Sequence, residues 1–295
     1  MFSKMSEPNK GVLFAVIAHL FWGGMAPYLG LLRHVNPWEI AVNRGVWSVP
    51  IAAIVVWRLG LFESLWTALR NPRTLLILAF TSIIILFNWT LYIWCIQHGR
   101  TLEASLGYFI NPLMNVLVGY VFLKERFSRA QAVAILLACV AVVIQTIASG
   151  VFPALGLSLA ASFCLYGLLR KTIAVGPVEG FFIETLVLFV PLIGLEFWLT
   201  QNGGIHFGGT TFDTLMLIGC GGFTAGALIF FAASLKRLRY STAGLLQYIS
   251  PTLVFLTAVF VFHEHIDIWK LTSFAIIWLA LIIYSIASLR AEKTT

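Results

Sequence analysis

The chain has 295 residues, 60% of them hydrophobic and only 11% charged, and its mean hydropathy of +0.93 leaves no polar surface for a soluble domain. A net charge of +7 could suit a nucleic-acid binder, but the basic residues sit in short segments between apolar stretches, which excludes that class. What remains is an all-α integral membrane protein whose first partner is the lipid bilayer.

Ten apolar spans follow in chain order, most of them near the roughly 20 residues a helix needs to cross the hydrocarbon. The first, 11–32, follows Lys4 and Lys10; it is too long for a signal peptide and has no small-residue cleavage site before Arg33. His19 lies near its middle with Trp22 three residues on, so the two share a helix face. The second, 37–57, contains Arg44, a basic residue deep in a span. Even on a lenient scale such an arginine costs about 2.5–3.5 kcal/mol, so it should face a cavity or a partner, as an anion ligand or as half of a structural ion pair. The third, 74–97, places Asn88 and Tyr92 at i, i+4 beside Trp89.

The fourth span, 102–123, carries Pro112 about ten residues in, and Tyr108, Asn111 and Asn115 form a polar stripe at helical spacing. Proline removes one backbone donor and clashes one turn back, so the Tyr108 carbonyl should lose its helical partner. The fifth and sixth spans, 130–149 and 152–169, are followed by 178–199, which contains Glu184. Glu184 could pair with Arg44 across a cavity, carry a proton, or reach toward Arg170 and Lys171. His19 is a second candidate for proton coupling. The eighth span, 213–235, holds Gly219, Gly221, Gly222 and Gly226, a set suited to close packing or to a bending gate. The ninth, 242–262, repeats the proline design: Pro251 should free the Gln247 carbonyl, with Gln247, Tyr248 and Ser250 around it. The tenth runs 267–289.

The proline spans are two copies of one unit. Laying Pro112 on Pro251, Ala104, Ile110 and Leu117 meet Ala243, Ile249 and Leu256, and Glu125 meets Glu264. Pro37-Trp-Glu39 recurs as Pro177-Val-Glu179, and Phe21-Trp-Gly23 resembles Leu165-Tyr-Gly167. Five helices per copy force the second copy to cross in the opposite sense, so repeats 1–149 and 150–295 should be related by a two-fold axis in the membrane plane. A proline near mid-span in both copies points to a solute site at the midplane. The same amides and prolines also admit a plainer role as helix glue and kinks.

With a cytoplasmic N-terminus, fifteen of the nineteen Lys and Arg fall on the inner side, which sets both termini there. Cys95, Cys139, Cys164 and Cys220 show no C-x-x-C pair and read as buried free thiols. No phosphate-binding G-x-x-x-x-G-K-[ST] motif is present. His263-Glu264-His265 with Asp267 looks like a metal cluster, but the first copy has Lys124-Glu125-Arg126 at that place, so no metal, cofactor or catalytic role is expected.

The segments LEASLGYFINPL (102–113), FLKERF (122–127) and LQYISPTLVFL (246–256) closely resemble the RarD type of permease in the EamA branch of the drug/metabolite transporter superfamily. The resemblance covers essentially the whole chain. It implies ten helices in a bacterial inner membrane, as two inverted five-helix repeats around a central cavity. Helices one to four and six to nine would build the cavity, and five and ten would brace it. It also makes an amphenicol-like compound one candidate solute.

The reading is therefore a non-enzymatic secondary transporter or facilitated permease for small amphiphilic organic metabolites or drugs, working by alternating access, with a homodimer left open. The solute-binding candidates are Arg44, Asn88, Tyr92, Tyr108, Asn111, Asn115, Gln247, Tyr248 and Trp22. Pro112, Pro251, Gly222 and Gly226 are the hinge or gating candidates. The alternatives are a membrane sensor or scaffold without catalysis, and a membrane-embedded enzyme acting on lipid-linked substrates.

Overall fold

A computed structural model describes residues 5–98, 100–203, 205–260 and 268–292. All regular structure among them is helical. Ser6 opens α1 (Glu7–Gly30) by accepting the Asn9 N–H, with Pro8 in the first turn. Asn36 accepts the Trp38 N–H to open α2 (Pro37–Val46).

The second apolar span runs over Pro37–Arg58, as expected, with a single-residue turn inside it at Trp47, whose dihedrals stay helical. Trp47 separates α2 from α3 (Ser48–Arg58), because Pro50 has no N–H to offer the Val46 carbonyl one turn back. The Ser48 hydroxyl steadies the joint, at 2.6 Å from the Arg44 carbonyl and 3.2 Å from that of Gly221. The connection that follows is not bare loop: α4 (Phe62–Arg70) buries Leu65 and Ala68 and exposes Phe62 and Trp66, the pattern of a helix lying at an interface.

Next come α5 (Pro72–Gln97) and α6 (Thr101–Leu123), which continues through Pro112 and ends at Lys124 with φ 55°. The Ser128–Gln131 capping box starts α7 (Arg129–Ser149), and Gly150, at φ 65°, stops it. α8 (Ala154–Thr172), α9 (Pro177–Asn202) and α10 (Thr211–Leu235) follow, α9 staying continuous through Pro191. The ninth span is broken at Gln247–Tyr248 into α11 (Tyr240–Leu246) and α12 (Ile249–Phe260), and α13 (Ile268–Glu292) closes the chain.

Eight helical segments among the described residues are long and apolar enough to cross a membrane. α8 and the broken α11–α12 pair are not among these eight. Large apolar side chains such as Leu76, Ile147, Phe152 and Val190 stay exposed on the outside of the bundle, as lipid contact requires.

Several of the main helix contacts come in pairs when residues 1–149 are exchanged with 150–295. Contacts of α1 with α10 are matched by those of α5 with α8, α6–α8 by α1–α12, and α2–α10 by α5–α9. The pairs α2–α9, α6–α11 and α7–α13 map onto themselves. In the last of these, the small residues Ala134, Ala138 and Ala141 of α7 receive Phe274 and Ile277 of α13, the close approach that drives helix pairing in lipid.

Candidate solute site

Arg44 projects from α2 toward α10. Its Nε donates to Thr224 Oγ1 at 3.1 Å, and the Thr224 hydroxyl in turn donates to the Cys220 carbonyl at 2.9 Å, which fixes the threonine as acceptor for the guanidinium. The guanidinium carbon lies 5.4 Å from the Trp89 ring centroid, a cation–π contact. Tyr92 and Tyr108 pack edge to face at 6.0 Å, and both lie within reach of the Arg44 charge. Tyr108 is 51% exposed despite this company, and Arg44 is only half-buried, so both side chains keep accessible surface. Among the described residues the two Arg44 Nη atoms make no hydrogen bond, and they are not among the fully buried polar atoms. Among the described residues no carboxylate lies within 4.0 Å of this cation.

The polar stripe of α6 runs from Tyr108 to the break in the ninth span. Asn111 Nδ2 donates to Gln247 Oε1 at 2.6 Å, joining the two proline helices amide to amide. Asn111 Oδ1, Asn115 Oδ1 and Gln247 Nε2 remain buried without partners. The expected loss at the Gln247 carbonyl does not occur, because the Ser250 N–H takes it at 3.1 Å, an i→i+3 bond that tightens the turn ahead of Pro251. Tyr248 is 1% exposed and donates to the Phe109 carbonyl, 139 residues earlier in the chain, at 2.9 Å. Its side chain therefore packs in the α6–α7–α13 core and does not line the Arg44 site.

The other candidates sit in packing contacts. Asn88 directs its amide nitrogen to the Leu159 carbonyl and the Ser162 hydroxyl, both at 2.9 Å, and so ties α5 to α8. Trp22 packs against His19, Phe163 and Phe231. His19, 1% exposed, meets Ser250 Oγ at 2.9 Å. Glu184, 3% exposed, does not reach across to Arg44: α8 supplies Arg170 Nε at 3.6 Å, and Thr81 and Tyr166 donate to the carboxylate at 2.6 and 3.1 Å. α10 stays an unbent helix whose glycines admit rings, since a Cβ at Gly226 would fall 2.7 Å from Phe21. Gly222 faces Ile51 with room to spare. The His263 group lies outside the described residues.

Two glutamates that the sequence reading used only to align the repeats turn out to latch opposite ends. Glu39, at the start of α2, accepts the His206 and Phe207 N–H groups at 2.7 and 2.8 Å and His206 Nδ1 at 3.0 Å. Glu179, at the start of α9, accepts the Ser64 hydroxyl of α4 at 2.5 Å. Each thus grips the second loop of the opposite half. The recurring Pro-x-Glu was the available signal. A cleft of about 580 Å³ lies over the Glu39 latch, lined by His34, Trp38, Trp198, Asn202 and His206, away from Arg44. At the Glu179 end, Lys171 donates to the Leu235 and Leu238 carbonyls, and Lys236 to those of Lys171 and Ile173. α8 and α10 cap each other's C-termini.

The sequence profile of the EamA-like transporter family matches residues 9–147. Protein RarD of Escherichia coli K12 is 38% identical across 98% of both chains, and the uncharacterized transporter YojE of Bacillus subtilis 36% identical across 98% of both. A protein of Pseudomonas aeruginosa named chloramphenicol-sensitive protein RarD is 31% identical over 95% of this chain and 94% of its own. A solved crystal structure shares the fold at a TM-score of 0.71 and 17% identity, over 94% of this chain and 97% of that one. The chain belongs to the EamA-like transporter family, as a multi-pass membrane transporter of the RarD type.

Proposed function

We propose that this protein is a secondary transporter or facilitated permease that moves small amphiphilic organic solutes across a bacterial inner membrane by alternating access. Both termini would be cytoplasmic, and residues 1–149 and 150–295 would form inverted five-helix repeats. The paired helix contacts carry this reading. The main contacts between the halves come in matched pairs, and Tyr248 touches Phe109, the residue 139 positions earlier. The family profile ends at 147, next to the proposed boundary. Inverted repeats of this kind make two faces interconvertible around one fixed site.

The latches supply the gates. With the Glu39 latch closed, the 205–210 loop is held over one end; with the Glu179 latch closed, α4 is held over the other. A half-cycle would open one while keeping the other, and the turns at Trp47 and at Gln247–Tyr248 give each repeat a joint beside the polar centre. The aromatic wall of Trp89, Tyr92 and Tyr108 suits an organic body better than a bare ion. Chloramphenicol, named with one relative, is a reasonable test solute.

Paired cysteines test the cycle. Glu39→Cys with His206→Cys, and separately Ser64→Cys with Glu179→Cys, should each stop solute flux in proteoliposomes on oxidation and restore it on reduction. Flux that persists through either lock would contradict alternating access, and no solute flux in either the oxidised or the reduced form would favour a sensor or scaffold.

A further inference from the structure

Resting on the transporter reading, we infer that the solute is a small organic monoanion, a carboxylate on an aromatic or apolar body, with Arg44 as its counter-ion. The first ground is charge. The titratable groups within reach of Arg44 are Tyr92, Tyr108 and Cys220, all of classes that are neutral near pH 7, so the site carries one uncompensated positive charge. Glu184, the acidic residue 140 positions later, is met by Arg170, Thr81 and Tyr166. Glu196, on the neighbouring α9, faces Asn43 and Glu39 instead of Arg44. A cation brought to this place would be repelled, and a neutral solute would leave the guanidinium unmatched.

The second ground is geometry. Nε is committed to Thr224, which orients the planar guanidinium, while among the described residues both Nη atoms lack a hydrogen-bond partner without being fully buried. Parallel Nη–H donors are what a carboxylate accepts bidentately. One cation and no further basic group within reach fits one negative charge better than two, which sets a carboxylate above a phosphate monoester. The Trp89 face and the Tyr92–Tyr108 pair then wall in an aromatic or apolar body.

The test is a melting-temperature comparison of the detergent-purified full chain against matched pairs at millimolar concentration: benzoate with benzamide, phenylacetate with phenylacetamide, and phenyl phosphate as the dianion. A ligand of the folded state raises the melting temperature by mass action. The carboxylates should stabilise the native protein and the amides should not. Arg44→Gln should lower carboxylate affinity at least about tenfold, and Arg44→Lys, a point charge without the fork, should restore part of it. Should Arg44→Gln fail to fold, Tyr92→Phe in the native background reads the same site. Equal stabilisation by acid and amide, undiminished carboxylate binding in Arg44→Gln, or no carboxylate-specific stabilisation across the panel would each overturn the inference. Flux of neutral solutes without preference for acids would overturn it while sparing the transporter reading. Carboxylate binding without flux of any solute would do the reverse.

Discussion

Arg44 and Glu184 stand 140 residues apart at corresponding places in the two halves, and each takes a threonine hydroxyl from the third long helix of the opposite half, Thr224 on α10 and Thr81 on α5. Their surroundings differ in one respect. Glu184 has a counter-charge, Arg170, and a second donor, Tyr166, while among the described residues Arg44 has no carboxylate within 4.0 Å and no hydrogen bond from its Nη atoms. The fold can therefore neutralise a charge at this position, since it does so in the second half. Leaving Arg44 unmatched at a depth where an arginine costs about 2.5–3.5 kcal/mol is what a binding site requires and what a packing contact avoids.

The largest effect should come from splitting the matched pair. Glu184→Gln or Arg170→Met strands a buried charge and should cost about 3–5 kcal/mol, read as a drop in melting temperature or loss of folded protein. The double variant should recover most of that loss. Single variants that melt like the native chain would erase the distinction between the two halves.

A smaller effect belongs to the open site. Tyr92→Phe and Tyr108→Phe each remove one hydroxyl beside Arg44 and should weaken solute binding about tenfold, roughly 1.4 kcal/mol, with little change in melting temperature. Asn88→Ala should do the opposite, lowering stability through its lost contacts to Leu159 and Ser162 more than it lowers affinity.

The smallest effect is a pH dependence in the loop after α10. Burial first, then the neighbouring Arg170 and Lys171 charges, pushes the Lys236 ammonium down to about 8 from an ordinary value of 10.5. The folded chain thus favours the neutral amine. The penalty on the charged form is in place below about pH 8 and disappears as pH rises toward 10.5. Melting temperature should rise modestly across that window in the native protein, and Lys236→Met should lose this component. An identical pH profile in both would show that Lys236 is not the group responsible.

Much of this architecture is written in local patterns. Apolar length marked eight of the ten expected spans as membrane-length helices, and Pro251 marked the joint at Gln247–Tyr248. The turn at Trp47 was legible in principle from Pro50, but the same residue type at Pro191 leaves α9 whole, because tertiary packing decides whether a proline bends or breaks a helix. Arg44, Tyr92 and Tyr108 were legible as a polar set, and the structure brings them together. Thr224 was not, since a threonine beside glycines carries no signal of the distant guanidinium it holds. Nor does helical spacing tell which buried amides face a cavity. Asn88 and Tyr248 shared the polar pattern of the site, yet their partners are carbonyls of other helices. Glu184 shows the same limit: sequence named both arginines as partners, and only three-dimensional packing chose Arg170.

The most direct test is solute uptake into proteoliposomes by Arg44→Gln, compared with the native chain at equal amounts of folded protein. Losing a charge-assisted bidentate contact worth about 2.7 kcal/mol should reduce uptake about hundredfold while the melting temperature in the absence of solute stays close to native. Native uptake by a folded Arg44→Gln protein would contradict the account and make Arg44, like Arg170, a part of the scaffold.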